Sequence, residues 1–145
     1  MFGEEIIVTN RLLKLDPKRR LRIPSETKVE VGEKIYPMFD IRREYLLLLN
    51  EQDLLIAIKK YEDLFKSLRE EGKIDARKYR EFLRHLYATL CFAQEIVDKQ
   101  NRIIIPQIAI NRMQLSNTVY AVGKNTHLEL YKDEETYQAI LARRK

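Results

Sequence analysis

The chain has 145 residues, of which 45% are hydrophobic and 34% are charged. That apolar fraction is enough to bury one core, or two small cores that share a face, and it argues against a disordered protein. Lysine and arginine outnumber aspartate and glutamate by 27 to 22, and the formal charge of +5 favours an anionic partner.

The cysteine and histidine content and the most apolar segments exclude several classes of protein. Cys91 is the only cysteine, so an intrachain disulfide cannot form, and Cys91 with His85 and His127 is too small a set for a zinc site. The first ten residues lack the pattern of a signal peptide, and the most apolar run, residues 45–49, is too short to span a membrane. We expect a cytoplasmic protein with no cofactor, metal, membrane contact or small-molecule substrate.

The first half of the chain predicts a β-hairpin followed by a second pair of strands. Short strands at residues 12–15 and 21–23 flank a turn opened by Asp16, and Pro17 suits the second position of a type I turn. The Asp16 carboxylate can accept backbone N–H bonds in such a turn. The elements expected next are a helical turn at 25–31 and strands at 34–39 and 45–49.

Two amphipathic helices are expected in the middle of the chain. Asn50 can cap the first helix, in which apolar residues recur at spacings of three and four. Those residues are Leu54, Leu55, Ile58, Tyr61, Leu64, Phe65 and Leu68. Gly72 ends this helix and Asp75 can cap a second one, which predicts an αα-hairpin.

The second half of the chain repeats the pattern of the first. A shift of about 82 residues places Asp16 on Asp98 and Arg20 on Arg102, and a proline follows the second strand in both copies. The expected elements are strands at 94–97, 103–105, 118–122 and 127–131, a helical turn at 107–113 and a short helix at 133–141. Because residue types and element order repeat together, we expect two copies of one module.

Two Asp-x-x-x-Arg turns in a β-turn-β-Pro setting, separated by a helical pair, resemble the MraZ family of double-module AbrB/SpoVT swapped-hairpin proteins. The resemblance covers about residues 5–142. It implies an α+β fold in which two swapped-hairpin AbrB-like β-modules form one pseudo-symmetric barrel, with an inserted helical hairpin and a C-terminal helix. The implied modules are residues 5–60 and 91–142, with the helical hairpin at 51–90 overlapping the first module.

The same resemblance implies a function. A family member is expected to be a sequence-specific DNA-binding transcriptional regulator, not an enzyme, and to form a homo-oligomeric ring on the nucleoid. It would use its basic turns to bind double-stranded DNA at short direct repeats in the promoter of the division and cell-wall gene cluster. The alternative is an antitoxin-like or assembly scaffold that binds a protein partner through the helical hairpin.

The residues expected to contact DNA are the basic and amide side chains around the two turns. Arginine forks suit phosphate oxygens and the O6/N7 edge of guanine, whereas lysines act as point charges on the backbone. The predicted DNA-binding residues are Lys14, Lys18, Arg19, Arg20, Arg22, Lys99, Gln100, Asn101 and Arg102. Asp16 and Asp98 are expected to support the turns.

Each of these residues also has a purely structural interpretation. Arg20 and Arg102 can form local salt bridges to the turn aspartates or to a neighbouring subunit. Lys18, Arg19 and Arg22 can be a solvated strand edge that discourages sheet-to-sheet aggregation.

The position before the turn arginine departs from the family pattern. MraZ-like turns usually have glycine there, where this chain has Arg19 and Asn101. Asparagine tolerates a positive φ, whereas arginine is strained in that conformation. The first turn is therefore expected to differ in shape from the second.

Overall fold

The structure, a computed structural model, describes residues 10–124 and 127–144, and the start of the predicted first module, residues 5–9, lies outside them. The described residues form an α+β fold with four α-helices and two antiparallel sheets. The strands are β1 (Asn10–Lys14), β2 (Arg20–Arg22), β3 (Lys34–Phe39), β4 (Leu46–Leu49), β5 (Glu95–Ile96), β6 (Arg102–Ile104), β7 (Thr118–Gly123) and β8 (Leu128–Tyr131). The helices are α1 (Glu51–Glu70), α2 (Ala76–His85), α3 (Gln107–Met113) and α4 (Glu134–Arg143). A 3-10 turn (Ser25–Thr27) follows β2, and a π-helical turn (Leu86–Leu90) follows α2.

Three strand pairings of the larger sheet join the two halves of the chain. The strand order is β1-β7-β8-β4-β3-β5, so β1 pairs with β7, β4 pairs with β8 and β3 pairs with β5. Equivalent backbone bonds mark the β1–β7 and β3–β5 junctions. The Leu15 N–H donates to the Asn117 carbonyl, and the Val97 N–H donates to the Glu33 carbonyl, both at 2.9 Å. Each half of the chain therefore completes the sheet of the other half.

The smaller sheet is a two-stranded ribbon of β2 and β6. Its central pair is Leu21 opposite Ile103, and these residues occupy the same position in the two repeats. A pseudo-twofold axis therefore passes between them. Both side chains are buried, at 0% and 2% exposure, and they join the ribbon to the main core.

The expected single barrel is wrong, because the strands do not close. Within the described ranges the six-stranded sheet ends at β1 and β5, and β2 and β6 pair with each other. An isolated bridge between Leu15 and Leu21 links the ribbon to the sheet. The ribbon strands cannot extend, since Pro24 and Pro106 follow them closely and have no N–H to donate.

The predicted helical hairpin is confirmed, and both of its helices begin at the expected caps. The Asp53 N–H donates to the Asn50 side chain and the Lys78 N–H donates to the Asp75 carboxylate, both at 2.7 Å. Gly72 follows α1 with a φ of +75°, a conformation that glycine adopts without strain.

The apolar stripe of α1 is narrower than predicted. Leu54, Ile58 and Phe65 pack on the main core, but Leu55 and Leu64 are 59% and 46% exposed. At about 100° per residue, these two leucines fall on opposite flanks of the buried stripe. The helix therefore uses most of its apolar residues to pack within the chain.

A buried carboxylate lies beside a second, smaller core cluster. Glu129 is 5% exposed, accepts the Tyr131 O–H at 2.8 Å and lies 3.1 Å from His127 Nε2. Burial favours the neutral form of Glu129, but the hydrogen bonds from His127 and Tyr131 outweigh it and hold the pKa below its ordinary value. The fold therefore stabilises the charged form of Glu129.

Glu129→Gln should lower the free energy of unfolding by about 1–3 kcal/mol at pH 7, because neutral hydrogen bonds replace charge-assisted ones. Since the folded pKa is below the unfolded one, the contribution of Glu129 is complete above about pH 4.5 and disappears as the pH falls through the folded pKa. Urea denaturation at about pH 7 and about pH 3 should show that the difference in free energy of unfolding between the wild type and Glu129→Gln becomes smaller in acid. A difference of constant size would contradict this assignment.

Candidate nucleic-acid interface

The turn before β2 is closed by backbone bonds and supported by the Asp16 carboxylate. The Arg19 N–H donates to the Asp16 carbonyl at 2.9 Å, which closes a four-residue turn with Pro17 at its second position. Asp16 Oδ1 accepts the N–H groups of Lys18 and Arg20 at 2.9 and 2.8 Å. The predicted hydrogen-bonding role of this aspartate in the turn is confirmed.

The turn before β6 has the same bonds at equivalent positions. The Asn101 N–H donates to the Asp98 carbonyl at 3.0 Å. Asp98 Oδ1 accepts the N–H groups of Gln100 and Arg102 at 2.8 and 2.9 Å. The chain therefore presents the same turn twice, once at each end of the ribbon.

The expected difference in shape between the turns is wrong. Arg19 and Asn101 both have left-handed backbones, with φ of 64° and 58°. The Ile105 N–H donates to the Arg19 carbonyl at 2.7 Å, and the Ile23 N–H donates to the Asn101 carbonyl at 2.8 Å. These bonds between the halves, together with those to the turn aspartates, offset the roughly 1–2 kcal/mol that the left-handed conformation costs a non-glycine residue.

Each turn aspartate also holds the arginine that ends its turn. Asp16 Oδ2 accepts Arg20 Nε at 2.6 Å, and Asp98 Oδ2 accepts Arg102 Nε at 2.9 Å. Hydrogen bonds from the backbone and side chain of Arg20 hold the pKa of Asp16 below its ordinary value. At Asp98, burial favours the neutral form, but the bonds from Arg102 and the turn backbone still lower its pKa. Both carboxylates are therefore ionised at neutral pH.

The salt-bridge interpretation of these arginines is thus confirmed, and it leaves part of each guanidinium available. The aspartate occupies Nε, and neither Arg20 nor Arg102 has a second protein partner for its terminal nitrogens in the described part of the chain. A fork fixed on one side and open on the other can donate two hydrogen bonds to an anion or a base edge.

Three arginines share one face of the ribbon. Side chains alternate along a strand and match across a pair, so Arg20, Arg22, Arg102 and Ile104 lie on the face opposite the buried central pair. We call this the arginine face. It places three guanidinium groups on two short strands that are bonded together.

The other predicted site residues surround the ribbon, with one exception. The exposed members of the predicted set are Lys14, Lys18, Arg22, Lys99, Gln100 and Asn101. Arg19 is instead half-buried, and its Nη1 donates to the carbonyl of Ile105 at 3.2 Å. Arg11 was not in the predicted set, although it lies on β1 close to Lys14 and Arg22.

Across residues 10–124 and 127–144, no group of three or more histidine, cysteine, aspartate or glutamate residues is placed to hold a metal ion. No helix in these ranges combines the length and the apolar character needed to cross a bilayer.

These features define a class: a duplicated α+β protein that displays arginines on a two-stranded ribbon. Residues 93–145 match the family model described as "MraZ protein, putative antitoxin-like". The chain is 29% identical to "Transcriptional regulator MraZ" of Caldicellulosiruptor saccharolyticus over 130 residues, which cover 88% of this chain and 81% of that protein. It is 30% identical to the protein of the same name from Acetivibrio thermocellus over 81% of this chain and 74% of that protein. The chain belongs to the MraZ family.

The family assignment confirms the resemblance found in the duplicated turns. The matching relatives are named as transcriptional regulators, and transcriptional regulation is a non-enzymatic role. The prediction that the chain is not an enzyme is confirmed by this assignment.

Proposed function

We propose that the chain is a sequence-specific DNA-binding transcriptional regulator that binds short direct repeats in the promoter of the division and cell-wall gene cluster. The arginine face carries this proposal. The major groove of B-DNA admits a two-stranded β-ribbon, and arginine forks match both guanine edges and phosphates. The regulator role named for the family's members supports the same conclusion.

Each group of site residues has a distinct role in this proposal. Asp16 and Asp98 orient the arginine forks of Arg20 and Arg102 toward DNA. The lysines near the turns, Lys14, Lys18 and Lys99, act as point charges on phosphates. Gln100 and Asn101, with exposed amides, can bind base edges.

We also infer that the chain works as a homo-oligomer, in a ring. If one protomer neutralised about four phosphates, the slope of log K against log salt would be near −3.6, so a single protomer would bind weakly at physiological salt. Linked copies convert later contacts into intramolecular ones and raise avidity by roughly 10² to 10⁴. A ring would therefore favour tandem sites, and its working location would be the nucleoid.

The module division proposed from the sequence is residues 5–60 and 91–142, with the helical hairpin at 51–90. The pairings of β1 with β7 and of β5 with β3 support a swapped-hairpin relation between the two modules. An exchange of this kind covers strand edges that would otherwise be free to pair with other chains.

The test is a fluorescence anisotropy titration on duplex DNA that carries tandem copies of a short site selected from random sequence. We expect tighter binding to this DNA than to a scrambled duplex of the same length and composition. We also expect a log–log salt slope of about −3.6 or steeper. Equal affinity for both duplexes at every salt concentration would overturn the proposal.

A second candidate is the protein-binding scaffold, because the helical hairpin exposes several large apolar side chains. They are Leu55, Ile56, Leu64 and Tyr87, with exposed fractions between 46% and 59%. Affinity capture with and without nuclease separates the candidates. A stoichiometric protein partner that survives nuclease treatment would favour the scaffold, whereas DNA-dependent capture would favour the regulator.

A further inference from the structure

A groove of about 540 Å³ lies between β1 and the segment that follows β2, at the second-turn end of the ribbon. Three cationic side chains, Arg11, Lys14 and Arg22, line it together with apolar surface from Leu12 and Pro24. We call it the β1 groove. Its volume is within the range of about 300–1,000 Å³ found for ligand sites.

The charge of the β1 groove is largely uncompensated. The Arg11 guanidinium forms an ion pair with the Glu26 carboxylate. Lys14 and Arg22 have no acidic partner in the described part of the chain. Among the described strands β1 is an end strand of the larger sheet and lines the groove, and the amides of sheet edges can contribute to concave anion sites. The groove is thus suited to a ligand with both a negative group and an apolar part.

The cationic lining of the β1 groove is not repeated at the equivalent positions of the second half. Under the shift of about 82 residues, Arg11, Lys14 and Arg22 correspond to Ala93, Ile96 and Ile104. The equivalent region beside β5 therefore lacks all three cations.

A side chain also enters that equivalent region. Arg19 is the counterpart of Asn101, and its Nη1 donates to the Ile105 carbonyl at 3.2 Å. Burial raises the pKa of the nearby Glu95, and the charge of Arg19 opposes this shift. On the other side, the shorter Asn101 borders the β1 groove and leaves it open. The longer Arg19 side chain thus contacts the region beside β5, whereas Asn101 lies at the border of the open β1 groove.

We propose that the β1 groove binds a sugar-phosphate segment of one DNA strand, an inference that rests on the proposed function. Arg11, Lys14 and Arg22 bind the phosphate, and Leu12 and Pro24 pack against the deoxyribose. The two turns of a protomer consequently contribute unequally, because only the second adjoins a site for the backbone. Asn101 is the residue that keeps this site open.

Asn101→Arg provides the test, because it adds a positive charge to the DNA face and yet should weaken binding. The new guanidinium should donate to the Ile23 carbonyl, as Arg19 does to Ile105, and fill the groove. The matched control is Gln52→Arg, which adds the same charge at an exposed position of α1 that does not line the groove. We expect DNA affinity to fall at least tenfold for Asn101→Arg and to stay level or rise for Gln52→Arg. Equal or tighter binding by Asn101→Arg would overturn the groove proposal.

A second measurement separates this proposal from the proposed function. Amide chemical shifts of the wild type and Asn101→Arg are followed by NMR during titration with a 5′-phosphorylated thymidine dinucleotide. The wild type should show shifts at Leu13, Ile23 and Ser25, and the variant should not. If these shifts appear but the protein binds no duplex DNA, the groove proposal stands and the proposal that the chain is a DNA-binding regulator is refuted. Duplex binding with no such shifts, or a dinucleotide that duplex DNA fails to displace, would refute the groove proposal alone.

Discussion

Replacing Leu21 with alanine should lower the free energy of unfolding by about 2–5 kcal/mol. The Leu21 side chain has 0% exposure on the pseudo-twofold axis, opposite Ile103 at 2%, so truncation leaves a cavity where the two halves meet. Ile103→Ala should cost a similar amount. Because small domains are stable by only about 5–15 kcal/mol, the double variant should lose most or all of its folded population. Urea denaturation followed by far-ultraviolet circular dichroism measures each cost.

The matched control for the core variants is Ile104→Ala. Ile104 is the residue after Ile103 on β6, but it points to the other face and is 41% exposed. Ile104→Ala should lower the free energy of unfolding by less than about 1 kcal/mol, as expected for a partly exposed site. If Leu21→Ala cost no more than Ile104→Ala, the ribbon would not be anchored in the main core.

The double variant Arg20→Ala/Arg102→Ala should bind its tandem DNA site roughly 30- to 10⁴-fold more weakly than the wild type. A well-placed arginine contact contributes about 1–3 kcal/mol, and the two forks contact DNA together. Anisotropy titrations over a salt series distinguish the target of the forks. Loss of two phosphate contacts would reduce the salt slope by about 1.8, whereas loss of base contacts would leave the slope nearly unchanged.

The control for this variant is Arg80→Ala/Arg84→Ala, which removes the same charge from exposed positions. Arg80 and Arg84 lie on α2, away from the ribbon. If DNA binding depends on net charge alone, the two double variants will weaken it equally, and the arginine face will have no special role. Arg20→Lys/Arg102→Lys extends the comparison, because lysine keeps the charge but cannot form a fork.

The turns could be predicted because their chemistry is local. Asp16 and Asp98 accept bonds from residues two and four positions later, so the aspartate and the following residues specify the turn. The helix caps Asn50 and Asp75 were predictable for the same reason, since each bonds the amide three residues ahead.

The position of the Arg19 side chain could not be predicted, because its partner carbonyl on Ile105 is 86 positions away in the sequence. The same limit applies to the β1 groove, which combines Arg11 on one strand with Asn101 on a distant turn. Local patterns also missed the buried Glu129, because its partners His127 and Tyr131 are only two positions away but its burial depends on β8 lying between β4 and β7 in the sheet. Long-range contacts thus decided which basic residues remained available to a ligand.

The pairing of β1 with β7 also has a consequence for biosynthesis. Strand β1 is synthesised before its partner β7, which lies about a hundred residues downstream and follows after on the order of 5–20 seconds at roughly 5–20 residues per second. During that interval the nascent N-terminal half lacks the strand that shields its edge. Truncated translation products should therefore be prone to aggregation and proteolysis, and only chains that reach β7 can acquire the mature fold.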